Sequence, residues 1–293
     1  MTLTPATVNA LLAEHGIHPK KSLGQNFLVD ANIARRIVGL AGVEEGSRVL
    51  EIGPGLGSLT LALCAQGARV VAVELDARLA GVLVSVLDEA GVADQVHVEI
   101  ADANRVDFAG LLTESLVGPL VGPLDGGGAG PVTCVSNLPY NVAVPVVMRL
   151  LEDVPAVTCI VVMVQREVGE RIAARVGDEQ YGAVSVKVGY FAEAALVGKV
   201  PPSVFVPRPK VDSALVRLVR RETPPVDVPS EAALFGLVRA GFGQRRKMLR
   251  RSLAGVLGDR ATAVLDAAGV APTARAEELD LEAWAAVARS AAA

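Results

Sequence analysis

Five blocks of consecutive apolar residues punctuate the chain up to residue 164: "RVLEIG" (48–53), "RVVAVEL" (69–75), "VHVEIA" (96–101), "VTCVSN" (132–137) and "CIVVMV" (159–164). Each is short and rich in β-branched residues, so each reads as a strand. Between them the apolar positions recur at helical spacing, in "SLTLALCAQ", "ARLAGVLVSVLDEA" and "NVAVPVVMRLLE". Strands apolar on both sides need cover on both faces, and intervening helices supply it. The pattern predicts a mostly parallel sheet of the α/β class. "ALVGKV" and "SALVRLV", separated by a Pro-rich turn, add two strands at one sheet edge, for seven in all. Beyond "TPPVDVP" the pattern is helical only. A Pro-rich linker marks a boundary, so residues 1–225 are expected to form one domain and 226–293 a small all-helical one.

The chain has 293 residues, 51% of them apolar, enough for a sizeable core. Its longest apolar run, "VPAVTCIVVMV" (154–164), is too short to span a membrane, so no membrane partner is expected. "MTLTPATVNALLAEHG" lacks the basic start, apolar block and cleavage site of a secretory signal. Cys64, Cys134 and Cys159 lie in apolar segments without ligand spacing, and His15, His18 and His97 accompany no nucleophile. A reduced, cytoplasmic protein without a metal is expected.

The net charge of −4 argues weakly against a nucleic-acid partner. Its distribution argues the other way. No acid occurs from Ala232 to Gly258, while "RAGFGQRRKMLRRS" carries Arg239, Arg245, Arg246, Lys247, Arg250 and Arg251. A second cluster, "VPRPKVDSALVRLVRR", holds Arg208, Lys210, Arg217, Arg220 and Arg221. A solvated helix face would account for either cluster taken alone.

The strand ends carry the chemistry. "VLEIGPGLGSLT" puts Gly53, Gly55 and Gly57 between the first strand and a helix, where a ligand must approach the backbone closely. Glu74 ends the second strand, placed to accept from both ribose hydroxyls of an adenosine. That reading serves nicotinamide dinucleotides and S-adenosylmethionine equally, although G-x-G-x-G departs from the dinucleotide spacing. Asp102 ends the third strand and suits an adenine amino group, or else caps a helix. The fourth strand ends in "SNLPYN". The Asn137 side-chain oxygen and a backbone carbonyl at Leu138 or Pro139 could accept both hydrogens of an exocyclic amine, aiming its lone pair at a methyl donor. Pro139 stiffens the turn, and Tyr140 offers a ring for an extruded base, a stack worth roughly 1–3 kcal/mol. The plain alternative is a turn with a buried Tyr and a self-satisfied Asn.

With these motifs goes a resemblance. "KKSLGQNFLVD", "VLEIGPGLGSLT", "VAVELD", "SNLPYN", "VQREVGERI", "YGAVSV", "VPPSVFVPRPKVDSALVRL" and "FGQRRKMLRRSL" follow one another as in the ribosomal RNA adenine dimethyltransferases of the KsgA type, with the Erm resistance methyltransferases as cousins. The resemblance implies a Rossmann-like class I methyltransferase with S-adenosyl-L-methionine as cofactor, to which the N-terminal segment 1–47 contributes. Asn26 and Leu28 look like cofactor contacts, completed by Gly53, Gly55, Glu74, Asp102 and Asn137. Tyr140 and Phe205 look like aromatic partners on opposite faces of the target adenine; Phe205 read alone is equally an ordinary core residue. Arg208, Lys210, Arg245, Arg246 and Lys247 look like RNA contacts.

The implied reaction is dimethylation of N6 on two adjacent adenines in the 3′-terminal hairpin of small-subunit ribosomal RNA. A monomer acting on the immature 30S subunit is expected. Two departures stand out: Asn104 where the family commonly has Leu, and a long Gly-rich insertion at 117–131. The alternatives are an Erm-type enzyme acting on large-subunit RNA, a non-catalytic RNA-binding assembly factor, and a nicotinamide-dependent oxidoreductase. The last gains nothing from Asn-Leu-Pro-Tyr.

Overall fold

The computed structural model describes residues 2–19, 24–117, 130–139 and 142–293. Tyr140 and most of the 117–131 insertion lie outside the described residues. Among the described residues nine strands occur in chain order: β1 (Phe27–Leu28), β2 (Arg48–Ile52), β3 (Arg69–Glu74), β4 (Val96–Ile100), β5 (Val132–Asn137), β6 (Val157–Gln165), β7 (Ala192–Val200), β8 (Phe205–Val206) and β9 (Ser213–Arg220). Seven of them form one sheet in the order β4-β3-β2-β5-β6-β9-β7. From β4 to β6 every neighbouring pair is parallel, and β9 runs antiparallel to β6. This is the mostly parallel, seven-stranded α/β sheet that the apolar blocks predict.

The pattern works because β2 is buried along its whole length. Leu50 stands between Val71 on one side and Cys134 on the other. Helix Ala77–Glu89 covers the sheet with Leu79, Ala80, Leu83, Val86 and Leu87, a stripe at helical spacing, and Asp76 caps its start by accepting from the Arg78 N–H. The chain leaves β2 toward β3 on one side, while β5 lies on the other. Such a reversal opens a crevice at the carboxyl ends of the two strands. Gly53 and Asn137 both stand there.

Two features were not visible as periodicity. β1 and β8 pair antiparallel, Phe27 opposite Val206 and Leu28 opposite Phe205, and so bring the N-terminal segment to the crevice. The division of the chain also differs from a single boundary at 225/226. The two compact units are Met1–Gly169 with Ala195–Arg220, and Glu170–Ala194 with Arg221–Ala293. Residues 170–194 join the C-terminal helices because Tyr181, Val186 and Tyr190 share their core with Leu234, Phe235 and Trp284. The Tyr181 hydroxyl donates to the Leu279 carbonyl at 2.9 Å, and the Tyr190 ring meets Phe235 edge-on at 5.4 Å. No helix among the described residues is long and apolar enough to cross a membrane.

The helix that follows the Asn-Leu-Pro turn, Ala143–Asp153, is closed by a residue from β9. Arg220 donates to the carbonyls of Leu150, Leu151, Val154 and Val157 at 2.8–3.1 Å. Leu150 and Leu151 lie in the last turn of the helix, whose carbonyls lack intrahelical donors. Arg220→Ala is expected to cost ~2–4 kcal/mol, because several charge-assisted bonds disappear together. The denaturation midpoint checks this; an unchanged midpoint contradicts the capping role.

Candidate active site

After Ile52 the chain turns through Gly53 (φ 70) and Gly55 (φ 58), conformations that suit glycine. A Cβ on Gly55 would stand 3.0 Å from the Phe27 ring, and one on Gly53 would stand 3.4 Å from Pro139 Cδ. The two glycines thus let the N-terminal segment and the Asn-Leu-Pro turn close on the same backbone. Glu74, at the end of β3, is 6% exposed. Its Oε2 accepts from the Gly55 N–H at 3.1 Å and its Oε1 from the Asp76 N–H at 2.9 Å. Burial pushes this carboxyl above the usual carboxylate range, and the backbone donors of Asp76, Gly55 and Leu75 pull it part of the way back. Lone pairs remain on both oxygens for a vicinal diol.

Asp102 follows β4. Its Oδ1 accepts from the Asn104 N–H at 2.9 Å and from the Asn104 side-chain amide at 3.2 Å. Asp102 therefore caps a turn, not a helix, and lines the cleft. Asn104, the departure from the family pattern, is what steadies it. Leu75, directly after Glu74, is 54% exposed and lines the same cleft. It leaves apolar surface where a flat base could lie.

Asn137 ends β5. Its side-chain N–H donates to the Asn26 carbonyl at 3.2 Å, which leaves Oδ1 free to accept. The Pro139 carbonyl accepts from the Val142 N–H at 3.1 Å, while no donor among the described residues is placed on the Leu138 carbonyl. Of the two carbonyls considered, only that of Pro139 has a donor among the described residues. Asn26 and Leu28 line the cleft, and the Ser58 hydroxyl holds the Leu28 carbonyl. The cleft runs from Asn26 and Leu28 past Gly53–Gly55 and Glu74 to Asp102 and Asn104, with Asn137–Pro139 also lining it.

Sequence reasoning passed over Glu51, which also lines the cleft. It is 1% exposed, and its Oε2 has no partner among the described residues. Burial, with the nearby negative charge of Glu74 adding to it, raises this carboxyl to about 8. The Thr60 hydroxyl works against that shift without reaching hydrogen-bond geometry. An acid inside the otherwise apolar "RVLEI" was the available signal.

Comparison with known proteins settles the lineage. A family model described as "Ribosomal RNA adenine dimethylase" matches residues 17–293. The chain belongs to this family. The protein named ribosomal RNA small subunit methyltransferase A of Leifsonia xyli subsp. xyli is 48% identical over 281 residues, covering 95% of each chain. Its namesake in Cutibacterium acnes is 45% identical over 287 residues, covering 95% of this chain and 91% of that one. Among solved structures, the 23S rRNA methyltransferase ErmE superposes with a TM-score of 0.65 at 27% identity, covering 92% of this chain and 100% of that one. A dimethyladenosine transferase from Plasmodium falciparum gives 0.68 at 24% identity, covering 89% and 95%.

The fold is that of the class I, Rossmann-like methyltransferases, and the cofactor of this family member is S-adenosyl-L-methionine. The residues fit it. Gly53 and Gly55 put no side chain into the turn, Glu74 keeps acceptors for a ribose, Asp102 and the exposed Leu75 line the same cleft, and so does Glu51, whose Oε2 has no partner among the described residues. Of the sequence-predicted site residues, Asn26, Leu28, Gly53, Gly55, Glu74, Asp102, Asn137, Leu138 and Pro139 all line one cleft.

Two of the expected residues have partners that the motifs did not announce. Phe205 is 3% exposed, stands opposite Leu28 in the β1–β8 pairing and packs in the core cluster that also holds the cleft-lining Phe27 and Leu28; its stacking role is a proposal. Arg245 is not a free cation: its Nε pairs with Glu277 and its Nη2 donates to the Glu179 carbonyl at 3.0 Å. Arg208, Lys210, Arg246 and Lys247 are exposed.

Glu51 makes stability depend on pH. The folded chain keeps this proton up to about pH 8, whereas the carboxyl's ordinary value is 4.5. Between those values the folded state binds the extra proton, so the group's contribution to stability falls as pH rises. Glu51→Gln removes that penalty. The variant should melt increasingly higher than the unaltered protein from pH 5 to pH 8, by on the order of a few kcal/mol at the upper end. A difference constant across that range contradicts the assignment.

Proposed function

We propose that this protein dimethylates N6 of two adjacent adenines in the 3′-terminal hairpin of 16S ribosomal RNA. In this reading it acts as a cytoplasmic monomer on the immature 30S subunit and contributes to its biogenesis. The observation that carries the reading is the Asn137 amide, whose N–H is anchored to Asn26 and whose oxygen has no donor among the described residues, in the cleft that Leu138 and Pro139 also line. The names of the relatives, ribosomal RNA small subunit methyltransferases, support the choice of RNA.

The adenine amine is a weak nucleophile because its lone pair is delocalised into the ring. Asn137 Oδ1 and the Leu138 carbonyl accept its two hydrogens, favour a more pyramidal nitrogen and aim the lone pair into the cleft. Bound S-adenosylmethionine supplies an electrophilic methyl group on a positively charged sulfur. Pro139 has no N–H to compete for the acceptors, and its ring lies against Gly53. The chain needs no strong base, since nitrogen releases its proton readily once alkylated. Rate enhancement then comes from orientation and fixed dipoles. The adenine has to leave its stack to reach this turn, and Tyr140 is the residue proposed to receive it.

Arg208, Lys210, Arg246 and Lys247 are proposed to hold phosphates, positioning the RNA without reading its bases. Arg245 is proposed to join them from its exposed ion pair with Glu277.

Asn137→Ala is expected to lower turnover ~10²–10³-fold, the cost of losing one preorganised polar group, with S-adenosylhomocysteine affinity kept within a few-fold. Loss of binding alone contradicts the role. Replacing Arg246 and Lys247 by Ala should reduce the slope of log affinity against log salt by roughly 1–2; an unchanged slope removes them from the interface. The function itself is tested by incubating hypomethylated 30S subunits with the protein and labelled methyl donor, then mapping the product by mass spectrometry. Two neighbouring dimethyladenines near the 16S 3′ end are expected. Label confined to 23S RNA, or none, refutes the proposal.

A further inference from the structure

The wall of the cleft that carries Asp102 has little support from the sheet. It is the loop after β4, and β4 is an edge strand paired only with β3. Two strands, β3 and β2, separate it from β5 and the Asn-Leu-Pro turn. The loop is wound on Asp102, whose carbonyl accepts from the N–H groups of Arg105 and Val106 at 2.8 and 2.9 Å. That winding leaves the carbonyls of Ala103 and Val106 to find donors elsewhere. Both find the same one. Arg149 donates from Nη1 to Ala103 at 2.7 Å and from Nη2 to Val106 at 2.9 Å. Its guanidinium lies 5.3 Å from the centre of the Phe108 ring, itself 1% exposed, and its Nε is 3.8 Å from Asp153.

Arg149 belongs to helix Ala143–Asp153, the helix that begins just after the Asn137–Pro139 turn. One planar fork therefore ties the loop after β4 directly to the helix that follows the Asn137–Pro139 turn, although their strands stand two strands apart in the sheet. A bidentate guanidinium fixes orientation as well as distance, which a lysine ammonium cannot do.

The geometry points to Arg149 as a positioning residue for cofactor recognition: by clamping residues 103–106 it sets Asp102 against the adenine of the bound cofactor. This rests on the cofactor-site reading given above. Asn104 is the near half of the same device, holding the Asp102 carboxylate from within the loop. Arg149 touches no reacting atom, so it governs how well the cofactor is held, and turnover at saturation stays with Asn137 and Leu138.

The test compares S-adenosylhomocysteine binding by calorimetry in the unaltered protein, Arg149→Gln, Arg149→Lys, Asp102→Asn and the double variant Arg149→Gln/Asp102→Asn. Arg149→Gln should weaken binding ~10-fold, as expected when a charge-assisted pair of bonds is lost. It should raise KM for the methyl donor similarly and leave kcat within ~2-fold. Arg149→Lys should recover part of the loss. Because Arg149 acts through Asp102, the double variant should be scarcely weaker than the poorer single variant. Hydrogen exchange should speed up in 101–107 while β2 and β5 stay protected.

Normal binding by Arg149→Gln, or fully additive losses in the double variant, overturns the inference alone. Failure of the unaltered protein to bind S-adenosylhomocysteine overturns the cofactor site and this inference together. Should Arg149→Gln fail to fold, full binding with undisturbed loop exchange in Arg149→Lys overturns it equally.

Discussion

A side-chain amide can present either its oxygen or its nitrogen, and the site works only if Asn137 presents oxygen. The hydrogen bond from Asn137 to the Asn26 carbonyl makes that choice. Much of the architecture around the cleft serves to put Asn26 there. The two-residue pairing of β1 with β8 docks the N-terminal segment, the Ser58 hydroxyl takes the Leu28 carbonyl, and Gly55 has no side chain to hold off Phe27. Each contact is individually small. Together they convert a flexible segment into one wall of the cleft.

The opposite wall is organised by charge. Glu74 and Glu51 come from adjacent strands, and both carboxyls are pushed upward by burial. They end differently because Glu74 receives backbone donors from the glycine turn and from Asp76, whereas Glu51 receives none on Oε2. One is set up to accept hydrogen bonds from a ligand, and the other remains protonated to about pH 8. A buried acceptor facing a cleft without a protein partner is expensive unless a ligand or water supplies one.

The parts of this account readable in the sequence are those written as contiguous apolar runs or as strand-end residues. β2 to β6 are such runs, and Gly53, Glu74, Asp102 and Asn137 follow from which residue ends each strand. What stayed hidden depends on contacts distant in sequence. Glu277 lies 32 residues beyond Arg245, so a basic run could not reveal that this cation is paired. Residues 170–194 carry no Pro-rich break to announce that Tyr181 and Tyr190 pack with helices beyond residue 230. β1 and β8 are two residues each, too short to show a period. The motif offers Phe205 as a stacking ring but does not show that it pairs opposite Leu28 and packs in the core. Glu51 was legible and was passed over in favour of the glycines beside it.

The claim on which the account turns is that the Asn137 oxygen and the Leu138 carbonyl face the reacting end of the cofactor. An experimental structure with S-adenosylhomocysteine bound tests it most directly. The account predicts the ribose on Glu74, the adenine beside Asp102 and Leu75, and the sulfur opening toward Asn137–Pro139. A sulfur turned toward Glu51 and away from Asn137, or an Asn137 amide reversed so that nitrogen faces the cofactor, would contradict it.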